Sequence, residues 1–318
     1  MAILATSKVL TLDYWKLASQ LKVGDYVFDR NGKLTQIKLI QQYRSEDCYK
    51  VHLDDHLSIG GDKHLGFLLE DNHYRQGVTK NLRPFTVEQL LKRPIIFKSG
   101  ISIFSIPNTK PLEFPHQDLP VPPFVFGYWF FNGRKDKTIS PPPQFHDFVL
   151  ERLKDYGYKY KRIRKMRNNR IQYHLIPTVE SHLVPFIPSK IPNNYLLSAP
   201  DQQIELLQGI ICAKIAQYDE KTNTFRFATI HHPLFLQVQQ LVEATGHRTR
   251  MRYFKADNVY ELAFKSKLPL LPVERKLHAT NRRYVRKIRK IEPQLCVHIE
   301  TTSEDSSILV GEGFIACH

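Results

Sequence analysis

Cationic side chains are the most concentrated chemical signal in this sequence. Lysine and arginine number 46 against 31 acids, a net charge of +15. They gather in three short stretches: seven bases in 159–170 (KYKRIRKMRNNR), four in 248–255 (RTRMRYFK) and eight in 275–290 (RKLHATNRRYVRKIRK). Such clusters raise a local positive potential that suits a polyanion, most often nucleic acid. Lys159, Lys161, Arg162, Arg164, Arg248, Arg250 and Arg252 are the residues expected to face double-stranded DNA. A solvated basic surface is the competing reading. Thiols are the second signal. Cys48, Cys212, Cys296 and Cys317 form no C-x-x-C pair, which excludes metal fingers and disulfide scaffolds and suits a reducing cytosol. The N-terminus lacks the basic-then-apolar layout of a signal peptide, and no apolar run reaches the ~18 residues of a membrane span. A cytoplasmic chain without a membrane partner is expected.

These residues need elements to position them, and 318 residues suit two domains. Hydrophobic residues at 42% are enough to build cores. Residues 3–98 alternate at period two through LATSKVLTL, GDYVFD, KLTQIKLIQQY, CYKVHLDD and LGFLL, with a turn at Arg30-Asn31-Gly32. That pattern predicts an all-β segment. The proline-rich run 106–123 reads as a linker.

From residue 124 the pattern changes and repeats. An amphipathic helix over 143–157 closes at Gly157 and leads into the basic strand YKYKRIRK, the turn Asn168-Asn169 and the strand RIQYHLI. A second helix over 233–246 closes at Gly246 and leads into HRTRMRYFK, the turn Asp257-Asn258 and VYELAFK. Apolar segments bearing Gly127 and Gly209 precede the two units. This echo predicts a pseudo-symmetric domain from a duplicated half, with basic hairpins shaped for a DNA major groove. From about 281 the chain returns to strands, so the middle domain interrupts a β-domain, as insertions at exposed loop tips do.

On these motifs the chain resembles an intein, a self-splicing protein of the Hint fold, carrying a LAGLIDADG homing-endonuclease insert. Ala2-Ile3-Leu4 leading to VLTLDYWKLASQLKVGDYVFDRNGK is similar to the N-terminal splicing block. VHLDDHLSIGGDKHLGFLL is similar to the second block, whose signature is Thr, two residues, then His. LCVHIETTSEDSSILVGEGFIACH is similar to the C-terminal blocks, which end in His-Asn. The implied fold is a mostly β, horseshoe-like Hint splicing domain interrupted by an α/β LAGLIDADG-type pseudo-symmetric domain. Its expected boundaries are 1–105, 106–275 and 276–318.

The resemblance also implies roles. Splicing begins when a Cys or Ser at the first position attacks the preceding carbonyl. Ala2 stands there, behind Met1, and has no nucleophile. Two readings stay open: a deliberate substitution that traps the precursor, which the Met-Ala start favours, or a pathway in which the downstream nucleophile attacks directly. His64 matches the second-block histidine, a general acid for the N-terminal junction, while Gly61 replaces its Thr. Cys296 holds a position that commonly bears Asp or Cys, as acid/base or acyl carrier. The intein class that uses this Cys first pairs it with a Trp where this chain has Gly66. His318 matches the penultimate histidine, which assists Asn cyclisation; the Asn itself is absent after it. Cys317 reads as a packed strand residue.

In LAGLIDADG enzymes two helices each deliver one acid to divalent metal ions. The matching positions here are Asn132 and Lys214, an amide and an ammonium, and Asp136 and Asp219 lie past the helix ends. The expectation is a folded, basic, degenerate nuclease that still binds DNA without cutting. Splicing should need no cofactor, and Mg²⁺ would matter only to an active nuclease. The expected partners are a flanking extein host protein in cis and double-stranded DNA, with the chain a monomer. An active site-specific DNA homing endonuclease is the alternative.

Overall fold

The computed structural model describes residues 2–132, 137–166, 169–176, 190–213, 216–219, 221–266, 270–271 and 282–318. The chain opens with ten short strands, β1 (Ala2–Leu4), β2 (Lys8–Leu10), β3 (Trp15–Leu17), β4 (Tyr26–Phe28), β5 (Leu34–Ser45), β6 (Cys48–Leu53), β7 (Ser58–Asp62), β8 (Gly66–Leu69), β9 (Arg83–Thr86) and β10 (Ser105–Pro107). Two small helices, α1 (Asn72–Arg75) and α2 (Val87–Leu91), lie among them. The middle of the chain holds α3 (Pro123–Asn132), β11 (Thr138–Ile139), α4 (His146–Asp155), β12 (Lys159–Lys165) and β13 (Ile171–Ile176). There follow α5 (Asn193–Leu196), α6 (Pro200–Cys212), β14 (Ala216–Asp219), β15 (Thr224–Thr229), α7 (His232–Ala244), β16 (Thr249–Phe254) and β17 (Val259–Phe264). The chain closes with β18 (Arg282–Ile291), β19 (Gln294–Thr301), β20 (Ile308–Val310) and β21 (Ile315–Cys317).

These elements form two compact units, the first Met1–Glu113 with Gly246–Arg248 and Thr280–His318, the second Phe114–Thr245 with Thr249–Ala279. The expected linker at 106–123 is therefore corrected at its start, while residues 108–122 form no helix or strand. Ser105–Pro107 is a strand that pairs with β18 in the first unit. It lies at the edge of its sheet, where a proline without an N–H is tolerated.

In the first unit an eight-stranded sheet runs β10-β18-β6-β7-β1-β19-β5-β4, each recorded pair antiparallel. Two long antiparallel ladders between the N-terminal and C-terminal parts of the chain build it. β5 pairs with β19 from Ile37↔Thr301 to Ser45↔Gln294, and β6 pairs with β18 from Cys48↔Ile291 to Leu53↔Val285. Both chain segments, β5–β6 and β18–β19, pass from one ladder to the other at the same level, residues 46–47 and 292–293, and β7 and β1 fill the space between β6 and β19. The predicted turn at Arg30-Asn31-Gly32 is present. Asp29 Oδ1 accepts from the amides of Asn31 and Lys33, and Gly32 takes the left-handed φ of +79° that favours glycine. The apolar positions of the alternating strands, among them Ile3, Val27, Ile37, Val51, Phe67, Val297 and Ile315, make one core.

The second unit shows the predicted duplication. The two halves run α3-β11-α4-β12-β13 and α6-β14-β15-α7-β16-β17, with sheet orders β11-β13-β12 and β14-β15-β17-β16. Among the described residues the first half has three strands and the second has four. α3 and α6 pack backbone to backbone: a Cβ at Gly127 would lie 2.5 Å from the Leu206 carbonyl oxygen, and one at Gly209 would lie 2.2 Å from that of Phe124. Only glycine permits this approach. Gly157 closes α4 with a φ of +77°, and the Tyr158 amide reaches back to the Leu153 carbonyl at 2.9 Å. The Asn168 half of the predicted Asn168-Asn169 turn lies outside the described residues; Asn169 has a φ of +57°.

Candidate active site

The first unit gathers the residues singled out at both ends of its sequence. β1 lies between β19 and β7 with Ala2 opposite His298, Leu4 opposite Cys296 and Ile3 opposite Gly61. Side chains two apart share a sheet face, so Ala2, Cys296 and His298 are on one side. Ala2 is fully buried and packs with Cys48 and Cys296. The backbone approaches closely here: a Cβ at Gly61 would fall 2.3 Å from the Ala2 carbonyl oxygen. A threonine at position 61 would meet this carbonyl in the conformation found, where this chain has glycine in place of the Thr of the Thr-x-x-His signature.

His64 follows on the turn between β7 and β8, exposed to solvent. Its amide donates to Asp62 Oδ1 at 2.8 Å. Two residues on, Gly66 exchanges two backbone hydrogen bonds with His318, at 2.9 and 2.8 Å. A Cβ at Gly66 would lie 2.5 Å from the His318 carbonyl oxygen, so the tryptophan of the branched-thioester class has no room. His318 Nδ1 bonds the Asp305 carbonyl oxygen. A carbonyl only accepts, so Nδ1 carries the proton and Nε2 is left for the cleft.

His64, Gly66, His298 and His318 line a cleft of about 570 Å³ together with Tyr43, Pro84, Phe85, Thr86 and Gln89. Burial, then the neighbouring Cys48, pushes the Cys296 thiol up to about 12; the two sulfurs are 3.8 Å apart. Cys296 is thus a protonated thiol at neutral pH. Cys317 is buried in β21 and its thiol is raised by burial, as suits a packing residue.

Three residues of this site are absent from the sequence-based set. Tyr43 Oη donates to Asp62 Oδ2 at 2.5 Å, and the Asp62 side chain is buried. His298 stands 3.3 Å from Glu300 Oε1. His298 could have been found as the residue two beyond Cys296 on the same strand face. Tyr43 and Asp62 could not, since their meeting depends on strand register.

The nuclease positions are less favourable to chemistry. Asn132 ends α3, and its amide nitrogen donates to Tyr128 Oη at 2.5 Å and to the Ser140 carbonyl at 3.4 Å. Lys214 and Asp136 lie outside the described residues. Asp219 is engaged by Thr222 and the Lys221 amide in its own turn, which lowers its pKa. The Asn132 amide nitrogen is turned to acceptors, and among the described residues no group of three or more His, Cys, Asp or Glu could hold a metal ion.

The basic strands divide. β12 is exposed along nearly its whole length, and none of the ion pairs between described residues takes Lys159, Lys161, Arg162, Arg164, Arg250 or Arg252. Arg164 donates to the Gln172 amide. Arg248 is a correction to the DNA-facing set. It is buried in the first unit against Asp54 at 2.9 Å and Asp55 at 3.5 Å, and donates to the Arg282 carbonyl. A guanidinium already neutralised by two carboxylates cannot serve a phosphate. The third basic stretch is likewise partly spent, through Arg282–Glu70, Arg283–Asp55 and Lys290–Asp47.

Solved structures similar to this chain include inteins and a homing endonuclease. They include the gp41-1 intein, at 18% identity and a TM-score of 0.24 over 33% of this chain and 74% of that one. The MchDnaB-1 intein gives 18% and 0.21 over 26% and 56%. The homing endonuclease I-DmoI, in complex with DNA and Mn, gives 13% and 0.33 over 46% and 89%. Among curated proteins, a replicative DNA helicase DnaB of Mycobacterium intracellulare is 20% identical over 96% of this chain. The chain spans 56% of that relative's length. No family model matches. Among the described residues no helix is long and apolar enough to cross a membrane.

Proposed function

We propose that this chain is a protein-splicing element whose first step is disarmed at Ala2, with an inserted homing-endonuclease unit that has lost its metal site and keeps a DNA-facing surface. One observation carries the splicing reading. The segment 61–66 touches both chain regions that splicing must join: Gly61 lies against the Ala2 carbonyl, Gly66 is bonded to His318, and His64 stands between them. The reaction in this reading is an acyl shift, a transesterification and an Asn cyclisation, run by protein side chains without a cofactor. The alanine methyl cannot attack the carbonyl before it, so the acyl shift does not start. A cysteine at position 2 would put its sulfur beside Cys48 and Cys296. His64, exposed on its turn, is the acid available to the amide nitrogen at that junction. His318, its Nδ1 proton already committed to Asp305, acts through Nε2 on the C-terminal junction. The DnaB match fits such an element lying within a helicase of that kind, which would then be its partner in cis.

The DNA-facing surface is β12 and β16, with Lys159, Lys161, Arg162, Arg164, Arg250 and Arg252. Its exposed cations, which form no ion pair among the described residues, support binding, and the tied amide of Asn132 supports loss of cutting. A nicking assay on plasmid with Mg²⁺ or Mn²⁺ tests the second half; specific cleavage would restore the active-endonuclease reading.

The test of splicing is a rebuilt precursor. A folded reporter precedes residue 2, and an Asn with a following Cys, Ser or Thr is placed after His318. Ala2 and Ala2→Cys versions are compared by mass spectrometry. Ligation only with Ala2→Cys identifies a standard element disarmed at its first nucleophile. Ligation with Ala2 itself identifies a direct-attack pathway, for which Cys296→Ala then tests a block thioester. The absence of both ligation and cleavage in both versions would refute splicing.

A further inference from the structure

The cleft contains a hydroxyl that the block motifs do not supply. Position 61 cannot carry one, because any side chain there would meet the Ala2 carbonyl. Tyr43 can. It is on β5 directly opposite Cys296 and lines the same cleft as His64 and His318. Its Oη donates to Asp62 Oδ2 at 2.5 Å, and the other Asp62 oxygen accepts the His64 amide at 2.8 Å. Asp62 is 2% exposed and takes part in no ion pair between described residues. A buried carboxylate without a cation is costly, and here its lone pairs are spent on two groups of one site. A hydroxyl that donates to a carboxylate becomes a better acceptor through its own oxygen. Burial first, then the Asp62 hydrogen bond and charge, push the Tyr43 phenol above its usual range, so it stays a hydroxyl well into alkaline solution.

We propose that Tyr43, held by Asp62, is a positioning residue of the N-terminal junction: its phenol oxygen accepts the imidazole N–H of His64 and so presents the ring to the peptide bond before residue 2. Asp62 fixes both halves of this arrangement, the tyrosine through Oδ2 and the His64 turn through Oδ1. The inference rests on the splicing reading and names a residue that reading lacks.

The experiment uses the Ala2→Cys precursor with Asn restored after His318, alone and carrying Tyr43→Phe or Asp62→Asn. Thiol-induced cleavage before residue 2 and Asn-dependent release after His318 are timed separately. Both substitutions are expected to slow the first by about ten- to a hundredfold, since misplacing a catalytic group by an ångström has that effect. The second should stay within about twofold, because His318 is held by Asp305 and Gly66 and not by Tyr43; a general loss of fold would slow both. Equal rates at the first junction with and without the Tyr43 hydroxyl would overturn the proposal. A parent precursor inert at both junctions would instead refute the splicing reading, and the role with it. Tyrosine ¹³Cζ NMR of the unaltered chain, with the Tyr43 signal assigned by Tyr43→Phe, checks the hydrogen bond independently. Tyr43 should remain un-ionised where tyrosines without a carboxylate partner titrate, and titration together with them would overturn the proposal without any splicing assay.

Discussion

Gly61→Thr sets the family pattern against the geometry. By pattern, the substitution restores a residue of the second block and should help. By geometry it harms, because a Cβ at 61 stands 2.3 Å from the Ala2 carbonyl oxygen and 3.0 Å from Leu65 Cβ. Ordinary contact starts at 3.4 Å, so β1 has to retreat by about 1 Å, and overpacking of that kind costs about 1–3 kcal/mol. The higher strand preference of threonine returns up to about 1 kcal/mol. The balance is a loss of about 1–2 kcal/mol, or roughly 2–8 °C in the unfolding midpoint of a unit this size. The retreat of β1 also loosens the Ala2↔His298 pairing, so thiol-induced cleavage before residue 2 in the Ala2→Cys precursor should slow. Calorimetry of Gly61→Thr and Gly61→Ala beside the parent measures the first effect, and cleavage kinetics measure the second. Since Ala carries the same Cβ, it should share the defect. A raised midpoint or faster cleavage in Gly61→Thr would show that β1 and β7 do not approach as closely as described, and the reasoning would fail.

Three further outcomes are expected. Arg162→Ala should weaken DNA binding across sequences and reduce the salt slope of log affinity by about 1, measured by gel shift at graded salt. Arg248→Ala should leave that slope unchanged and lower stability by about 1–3 kcal/mol, because it removes the cation from Asp54 and leaves Asp55 with Arg283 alone. For Cys296 the sign follows from a folded-state pKa pushed up to about 12. Its contribution to stability is complete below the unfolded thiol's pKa of about 8.5 and is lost as pH rises through about 12. Stability of the parent should therefore fall more steeply over that window than that of Cys296→Ala, as read by denaturant unfolding at a series of pH values.

Local features of the fold were legible because single residues specify them. Gly157 reads as a helix stop since few other residues adopt the +77° φ it takes. Gly127 and Gly209 stand out as small residues in otherwise bulky apolar helices, and they are where the backbones of α3 and α6 meet. Strand alternation located the β-segments for the same reason. What failed to show depends on partners distant in sequence. Arg248 sits in a run of bases that looks like one surface, yet Asp54 and Asp55 claim it from far up the chain. The run 106–123 looked like a linker from its start because prolines suggest one, while an edge strand tolerates Pro107 equally well. The Tyr43–Asp62 bond needs β5, β19, β1 and β7 to be in register, and no motif encodes that.

Gly61 and Gly66 carry the same lesson into the chemistry. In the sequence each reads as a loss, a threonine missing from the second block and a tryptophan missing from the branched-thioester class. In the fold each is a position where another backbone carbonyl comes within van der Waals reach, Ala2 at one and His318 at the other. The glycines are therefore what allows the two end regions to lie against a single short segment. A site made this way has little space for side-chain donors on that segment itself. Its donors and acceptors have to reach in from the turn and from neighbouring strands, which is where His64, Tyr43 and His298 are found.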